Sequence, residues 1–355
     1  MMYHAKELKI NVQNMQFDYI TFGNGTKPLV MIQGLNTRGI KGAAFSLAYM
    51  YRIFAKDYKV YLFDRRPVVQ DGITVKEMAS DIAIAMDTLG IKNADVFGVS
   101  QGGMIAQYLA MDRPDLVRKL VLAVTLSQNN STVKQVISDW IEMAERGAMR
   151  ELVADMAEKM YSDAYVKRYR LFLPLLTLLQ KPKDVERFVI LAKACLTCNT
   201  YESLDKIKCP VLVLGGRQDK VVTGMASEEI AKKLGCEIHM YDGLGHAAYE
   251  ETKDFNQRVY DFFYKTEWIG GGSCMNDTIN MSVSPVCEKG GKRYAFVTFS
   301  DGKRFAEGKI PDCEIISNQG FGAEEIEKLK EYMKKELATL KRMAAGVNVF
   351  DAFMK

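Results

Sequence analysis

Apolar residues fall along this chain in two patterns. Between 28 and 124, short, mostly apolar runs alternate with stretches striped at helical spacing. Residues 28–33, 59–63, 94–99 and 117–124 read as strands buried on both faces, and 42–55, 75–89 and 101–112 as the helices between them. Such alternation predicts a parallel sheet covered by helices on both faces through right-handed crossovers, with ligands bound beyond the C-terminal strand ends. Two shorter strands, 8–12 and 16–22, precede it at a sheet edge and end in a Gly23-Asn24-Gly25 turn.

The alternation stops near Ser127. From there to Leu204 the pattern is helical throughout: Val133, Val136, Ile137, Trp140, Ile141 and Ala144 share one face, and Gly147 is placed to close that helix. Residues 160–176 hold more apolar side chains than one packed face requires, which leaves some to line a pocket under a lid. Strand and helix resume with 209–216, 226–234 and 237–241, and a last helix spans 250–265. Gly270-Gly271-Gly272-Ser273 has the composition of a flexible linker. Beyond it, strands 294–299 and 304–308 flank a hairpin turn at Asp301-Gly302, and Ile326, Leu329, Met333, Leu337 and Leu340 stripe a helix over 323–345. The expected division is a core of 1–126 and 206–268, a helical insertion at 127–205, a linker at 269–275, and a small β-hairpin-plus-helix domain at 276–355. Met275 also reads as the start of a separate unit joined by fusion.

Composition narrows the class. With 48% hydrophobic and 26% charged residues the 355-residue chain is an ordinary globular protein, and a net charge of +4 with interspersed signs argues against a nucleic-acid partner. The N-terminal residues lack the pattern of a secretory signal, and the longest apolar stretch, 171–179, is broken by Pro174 and too short to span a bilayer. Seven irregularly spaced cysteines fit reduced thiols in a cytoplasmic protein, and Cys195-Leu196-Thr197-Cys198 has no neighbouring pair or histidine to complete a metal site. A small molecule is the expected partner, without cofactor or metal.

The chemistry gathers at strand ends. Gly98-Val99-Ser100-Gln101-Gly102 puts a serine on a tight turn between an apolar strand and a helix, a strained position that holds its hydroxyl out for attack. An unperturbed hydroxyl needs a base. Of three histidines, His4 is near the terminus and His239 lies within a strand, whereas His246 follows a strand end in a glycine-rich loop. Asp219, one strand–helix–strand unit earlier, is the candidate to orient it; Asp242 lies near the strand axis, and Glu250 and Glu251 read as ordinary carboxylates at a helix start. Two backbone N–H groups, of Leu35 and Gln101, are candidates to stabilise an oxyanion. Asn36 and Arg38 are candidate contacts for a polar or anionic substrate group, Arg38 reading equally as a solvated side chain.

The strand ending in Gln33-Gly34, the Gly98–Gly102 turn, Asp219 and His246 together resemble the α/β-hydrolase superfamily, in its capped serine esterase and lipase-like branch, over about residues 7–268. The resemblance implies Ser100 as nucleophile, Asp219 as acid, His246 as base, Leu35 and Gln101 as oxyanion donors, and 127–205 as a cap. Gln33 departs from the family, which often has histidine before the oxyanion glycine. The expected activity is hydrolysis of a small or medium carboxylic ester, thioester or lactone through an acyl-enzyme. Its rivals are a carbon–carbon bond hydrolase, a cofactor-free haloperoxidase, and a hydrolase-like receptor or scaffold with little turnover.

Overall fold

The computed structural model describes residues 2–12, 15–169, 182, 184–264, 280–284, 286–289, 291–300, 304–337, 340–341 and 344. The 269–275 linker, Pro174 with its apolar stretch, and the Asp301-Gly302 turn lie outside these residues. The chain divides into two units, Met1–Phe263 and Tyr264–Lys355.

In the first unit the apolar runs become eight strands: β1 (Lys6–Val12), β2 (Met15–Phe22), β3 (Lys27–Ile32), β4 (Tyr58–Phe63), β5 (Ala94–Val99), β6 (Val117–Ala123), β7 (Val211–Gly216) and β8 (Glu237–Tyr241). They form one sheet in the order β1-β2-β4-β3-β5-β6-β7-β8, antiparallel at β1-β2-β4 and parallel from β4 onward. The Gly23-Asn24-Gly25 turn therefore links β2 and β3, which follow each other in the chain but are separated by β4 in the sheet.

The side-chain period of two explains the layers. Val30, Ile32, Val96, Leu120, Leu122 and Val213 enter one core, and Leu29, Met31, Phe97, Val121, Ala123 and Leu214 enter the other. Helices α1 (Ala44–Met50), α2 (Val75–Thr88) and α3 (Gln101–Asp112) are the crossovers. Thr74 closes a capping box with Glu77 at the start of α2. The expected helix at 42–55 is shorter than its pattern, because α1 gives way to a 3-10 turn at Arg52–Phe54.

Between β6 and β7 lie α4 (Ser131–Glu145), α5 (Met149–Met160), α6 (Asp163–Tyr169) and α7 (Val185–Cys195). The α4 stripe buries Val133, Val136, Ile137 and Trp140, and Gly147 follows its end with φ 75°. After α8 (Gly224–Leu234) and β8, the predicted 250–265 helix is two pieces, α9 (Ala248–Glu251) and α10 (Asp254–Tyr264), because Thr252 is extended. No helix among the described residues is long and apolar enough to cross a membrane.

The second unit is richer in strands than a hairpin. Its β9 (Asn280–Val283), β10 (Cys287–Lys289), β11 (Lys292–Ser300), β12 (Phe305–Ile310) and β13 (Glu314–Gln319) make a five-stranded antiparallel sheet, and α11 (Ala323–Lys335) buries Leu329 and Met333 in the same core as Val297 and Phe299. The additional strands are short or half exposed, so they carry little apolar pattern: β13 packs Ile315 against the core and leaves Ile316 exposed.

Candidate active site

Strand order reverses around β3, since the chain passes from β3 outward to β4 and then back across to β5. A crevice is expected at the C-terminal ends of the strands flanking such a switch point. Gln33-Gly34-Leu35 leaves β3 there, and Ser100 leaves β5.

Ser100 has φ 53° and ψ −120°, a conformation L-residues rarely adopt. Its neighbours hold it: Ser100 N–H donates to the Ala123 carbonyl at 2.9 Å, and the Ser100 carbonyl accepts from Thr125 Oγ1 at 2.7 Å and from Gly103 N–H at 2.8 Å. The turn is so tight that two glycines are sterically required. A Cβ on Gly98 would sit 2.6 Å from the Gly102 carbonyl oxygen, and one on Gly102 would sit 1.9 Å from that of Ile32.

The loops after β7 and β8 bring in the other two groups. His246 Nε2 lies 2.9 Å from Ser100 Oγ, and His246 Nδ1 lies 2.8 Å from Asp219 Oδ2. Asp219 Oδ1 accepts from the N–H groups of Val221 and Val222 at 2.8 and 2.9 Å, which fixes the carboxylate. Both side chains are buried. The structure thus joins Ser100, His246 and Asp219 into one hydrogen-bonded chain. His239 stays in β8 with its ring against Tyr241, and Asp242 pairs with Arg217 at 2.5 Å on the surface.

Leu35 lines the crevice on the loop after β3, and Gln101 is buried directly after Ser100, at the first residue of α3. Beneath them lies a residue that the sequence did not point to. The buried Arg65 guanidinium donates from Nη2 to the Gln33 carbonyl and, at 3.3 Å, to Gln101 Oε1. Gln101 Nε2 in turn donates to the Leu191 carbonyl at 2.7 Å and reaches Cys195 Sγ at 3.1 Å. Burial lowers the Arg65 pKa to about 10, Asp64 opposing the shift and Arg187 adding to it. Burial also pushes the Cys195 thiol up to about 12. Among the described residues no cluster of three or more histidine, cysteine or acidic side chains could hold a metal.

Two cavities meet at the loop after β3. A small one of about 30 Å³ reaches Ser100 and His246 and is walled by Met104, Val133, Ile137 and Trp140. A larger one of about 290 Å³ shares Gly34, Leu35, Met156, Met160 and Tyr249 with it and extends past Asn36 to Tyr161 and Glu250. Asn36 faces this cavity, with its Oδ1 occupied by Gly39 N–H at 3.0 Å; Arg38 is exposed and is not among the described residues of either wall.

Glu250 and Glu251 were unremarkable in the sequence. In the fold they meet the segment after α5: Tyr161 Oη donates to Glu250 Oε2 at 2.5 Å, and Ser162 donates to Glu251 from its N–H at 2.9 Å and its Oγ at 2.5 Å. Ala247 N–H, next to His246, donates to the Met160 carbonyl at 2.7 Å. Burial raises the Glu250 pKa, while hydrogen bonds from Tyr161 and Tyr249 pull the other way.

The likeness to known proteins follows this geometry. Residues 27–176 match the family model of the alpha/beta hydrolase fold. The chain is 28% identical to a 2-hydroxy-6-oxononadienedioate/2-hydroxy-6-oxononatrienedioate hydrolase of Paraburkholderia xenovorans, a match covering 70% of this chain and 90% of that one. It is 22% identical to 3-oxoadipate enol-lactonase 2 of Acinetobacter baylyi, over 62% of this chain and 82% of the relative. Among solved structures, an enol-lactonase from Burkholderia xenovorans superposes with a TM-score of 0.64 at 21% identity, covering 72% of this chain and 99% of its own. A thermophilic esterase from Thermogutta terrifontis does so at 0.59 and 18% identity, covering 73% and 98%. Sheet order, serine turn and family match agree: the unit that ends at Phe263 has the α/β-hydrolase fold, and the proteins it is similar to are hydrolases.

Proposed function

We propose that this unit is a serine hydrolase that cleaves a small or medium carboxylic ester, thioester or lactone through an acyl-enzyme on Ser100. The observation that carries the reading is the aligned chain from Ser100 Oγ to His246 to Asp219, at 2.9 and 2.8 Å, on a residue held at positive φ. His246 Nε2 accepts the Ser100 proton as Oγ attacks the carbonyl carbon, and Asp219 holds the ring with its Nδ1 protonated and stabilises the imidazolium. The N–H groups of Leu35 and Gln101 receive the oxyanion. Collapse of the tetrahedral intermediate expels the alcohol, thiol or enol, which takes the proton from His246. Water, deprotonated by the same histidine, then releases the acid. These steps call for no cofactor. The helices at 127–205 serve as a cap, and their apolar side chains around Ser100 suit an apolar group beside the reacting carbonyl.

A second reading, carbon–carbon bond hydrolysis, draws on the relatives, which include a 2-hydroxy-6-oxononadienedioate/2-hydroxy-6-oxononatrienedioate hydrolase. The test is intact-mass detection of a fluorophosphonate adduct on the wild type and on Ser100→Ala, followed by turnover of esters and of a vinylogous diketone. One adduct, lost in the variant, with ester turnover supports the proposal. Cleavage of the diketone alone would move it to the second reading, and no adduct on folded protein would refute both in favour of a ligand receptor.

A further inference from the structure

The larger cavity carries one charged side chain among the described residues of its wall, and that charge is negative. Glu250 lines it together with Tyr161 and Tyr249, and Gln33, Asn36 and Thr37 are polar but neutral. An incoming anion would meet no described lysine, arginine or histidine there. Glu250 is also fixed in place. Its carboxylate accepts from Tyr161 Oη, while the next residue, Glu251, holds Ser162, and Ala247 holds Met160, so both sides of the wall are tied together. A carboxylate offers roughly four lone-pair sites. The hydrogen bond from Tyr161, together with one from Tyr249, leaves acceptor capacity on a side chain that remains solvent-accessible.

Size gives the direction of the substrate. The pocket on Ser100 and His246, about 30 Å³, is much the smaller of the two, so the longer arm of a substrate fits the 290 Å³ cavity. We propose that Glu250 is a specificity-determining residue, selecting substrates whose longer arm ends in a hydroxyl or an ammonium and rejecting those whose longer arm ends in a carboxylate. This rests on the serine-hydrolase reading for the reaction, though the charge preference of the cavity is measurable without turnover. Burial raises the Glu250 pKa, so the comparison belongs on the alkaline side of neutrality, at pH 8.

The test uses the full chain carrying Ser100→Ala, and two matched sets of probes. One set is the acetates of six-carbon alcohols ending in methyl, hydroxyl, ammonium or carboxylate; the other is the methyl esters of six-carbon acids with the same ends. Calorimetric dissociation constants are expected to favour hydroxyl and ammonium over carboxylate by at least about tenfold in one set, as unlike and like charges at close range require. Adding Glu250→Gln, which still accepts from Tyr161, should bring the ammonium-to-carboxylate ratio towards one and leave the methyl-ended compound bound as before. Glu250→Ala, with its melting temperature recorded, repeats the comparison should the glutamine variant fold poorly. Carboxylate binding equal to or tighter than ammonium in both sets, an unchanged ratio in both variants, or no binding of any probe would overturn the proposal. A wild type that shows the charge preference but forms no fluorophosphonate adduct would instead remove the hydrolase reading and leave the acidic wall standing.

Discussion

Replacing Arg65 by methionine should separate activity from stability. At neutral pH the buried guanidinium is charged, and its pKa, lowered from 12.5 to about 10, corresponds to a penalty of about 3 kcal/mol for holding the cation in the fold. The sign follows from linkage: a base with a depressed folded pKa destabilises at all pH values below that pKa, and the penalty is relieved only as pH rises from about 10 toward 12.5. Against it stand two hydrogen bonds from a charged donor, to the Gln33 carbonyl and Gln101 Oε1, worth about 1.5–3 kcal/mol each. Nε and Nη1 are buried without a partner among the described residues, so they add nothing. The two sides cancel to within about 3 kcal/mol, and methionine fills much of the same volume, so stability should change by no more than about 3 kcal/mol. The geometry does not cancel. Gln33 precedes the Gly34-Leu35 turn, and with its carbonyl released the Leu35 N–H loses its brace; a displacement near 1 Å in such a site costs up to about 100-fold. The assay is the second-order rate of fluorophosphonate labelling at Ser100, which needs the same oxyanion geometry, alongside thermal unfolding. Arg65→Met should label about 10- to 100-fold more slowly with a melting temperature near the wild type. An unchanged rate would refute the brace, and loss of the fold would refute the cancellation.

Further outcomes follow from the same site. In Asp219→Asn, the amide oxygen would keep the Val221 and Val222 N–H groups and turn its NH₂ toward His246 Nδ1. That forces the tautomer with the proton facing Ser100, so kcat should fall by about 10⁴ with little loss of stability. Gly102→Ala places a methyl 1.9 Å from the Ile32 carbonyl oxygen, backbone against backbone, and should cost at least about 1–3 kcal/mol in chemical denaturation together with most of the labelling rate. Cys195 and Cys198, both pushed up to about 12, should resist a disulfide reagent at pH 8 in the native protein and react at once in denaturant. Because unfolded thiols ionise above about 8.5, these two residues stabilise the fold fully below that pH and progressively less as it rises toward 12, a decline that urea midpoints would show.

What the chain determined by itself is local or periodic. Ser100 was legible because a glycine-flanked serine between an apolar strand and a helix leaves few conformations, and the structure shows why: Gly98 and Gly102 have no room for a Cβ. The parallel sheet was legible because residues 28–33, 94–99 and 117–124 carry apolar side chains on both faces, as a strand covered on both sides does. Asp219 and His246 could be nominated from their places after strand ends, since the right-handed alternation of strand and helix delivers successive loops to one edge of the sheet. The tertiary structure alone decided what stands around them. Arg65 follows β4 as one of two adjacent arginines, and nothing in that dipeptide says which is buried; β4 beside β3 puts Arg65 under the Gln33 loop, while Arg66 pairs with Asp81 at 2.5 Å. Glu250 reads as a commonplace helix-start carboxylate until α5 ends against it and Tyr161 closes the wall. In the second unit, β13 escaped notice because an edge strand half open to water has no apolar alternation to display. Spacing along a chain reports the backbone and the core, whereas the shape and charge of a cavity arise from residues about 90 positions apart that share no periodicity.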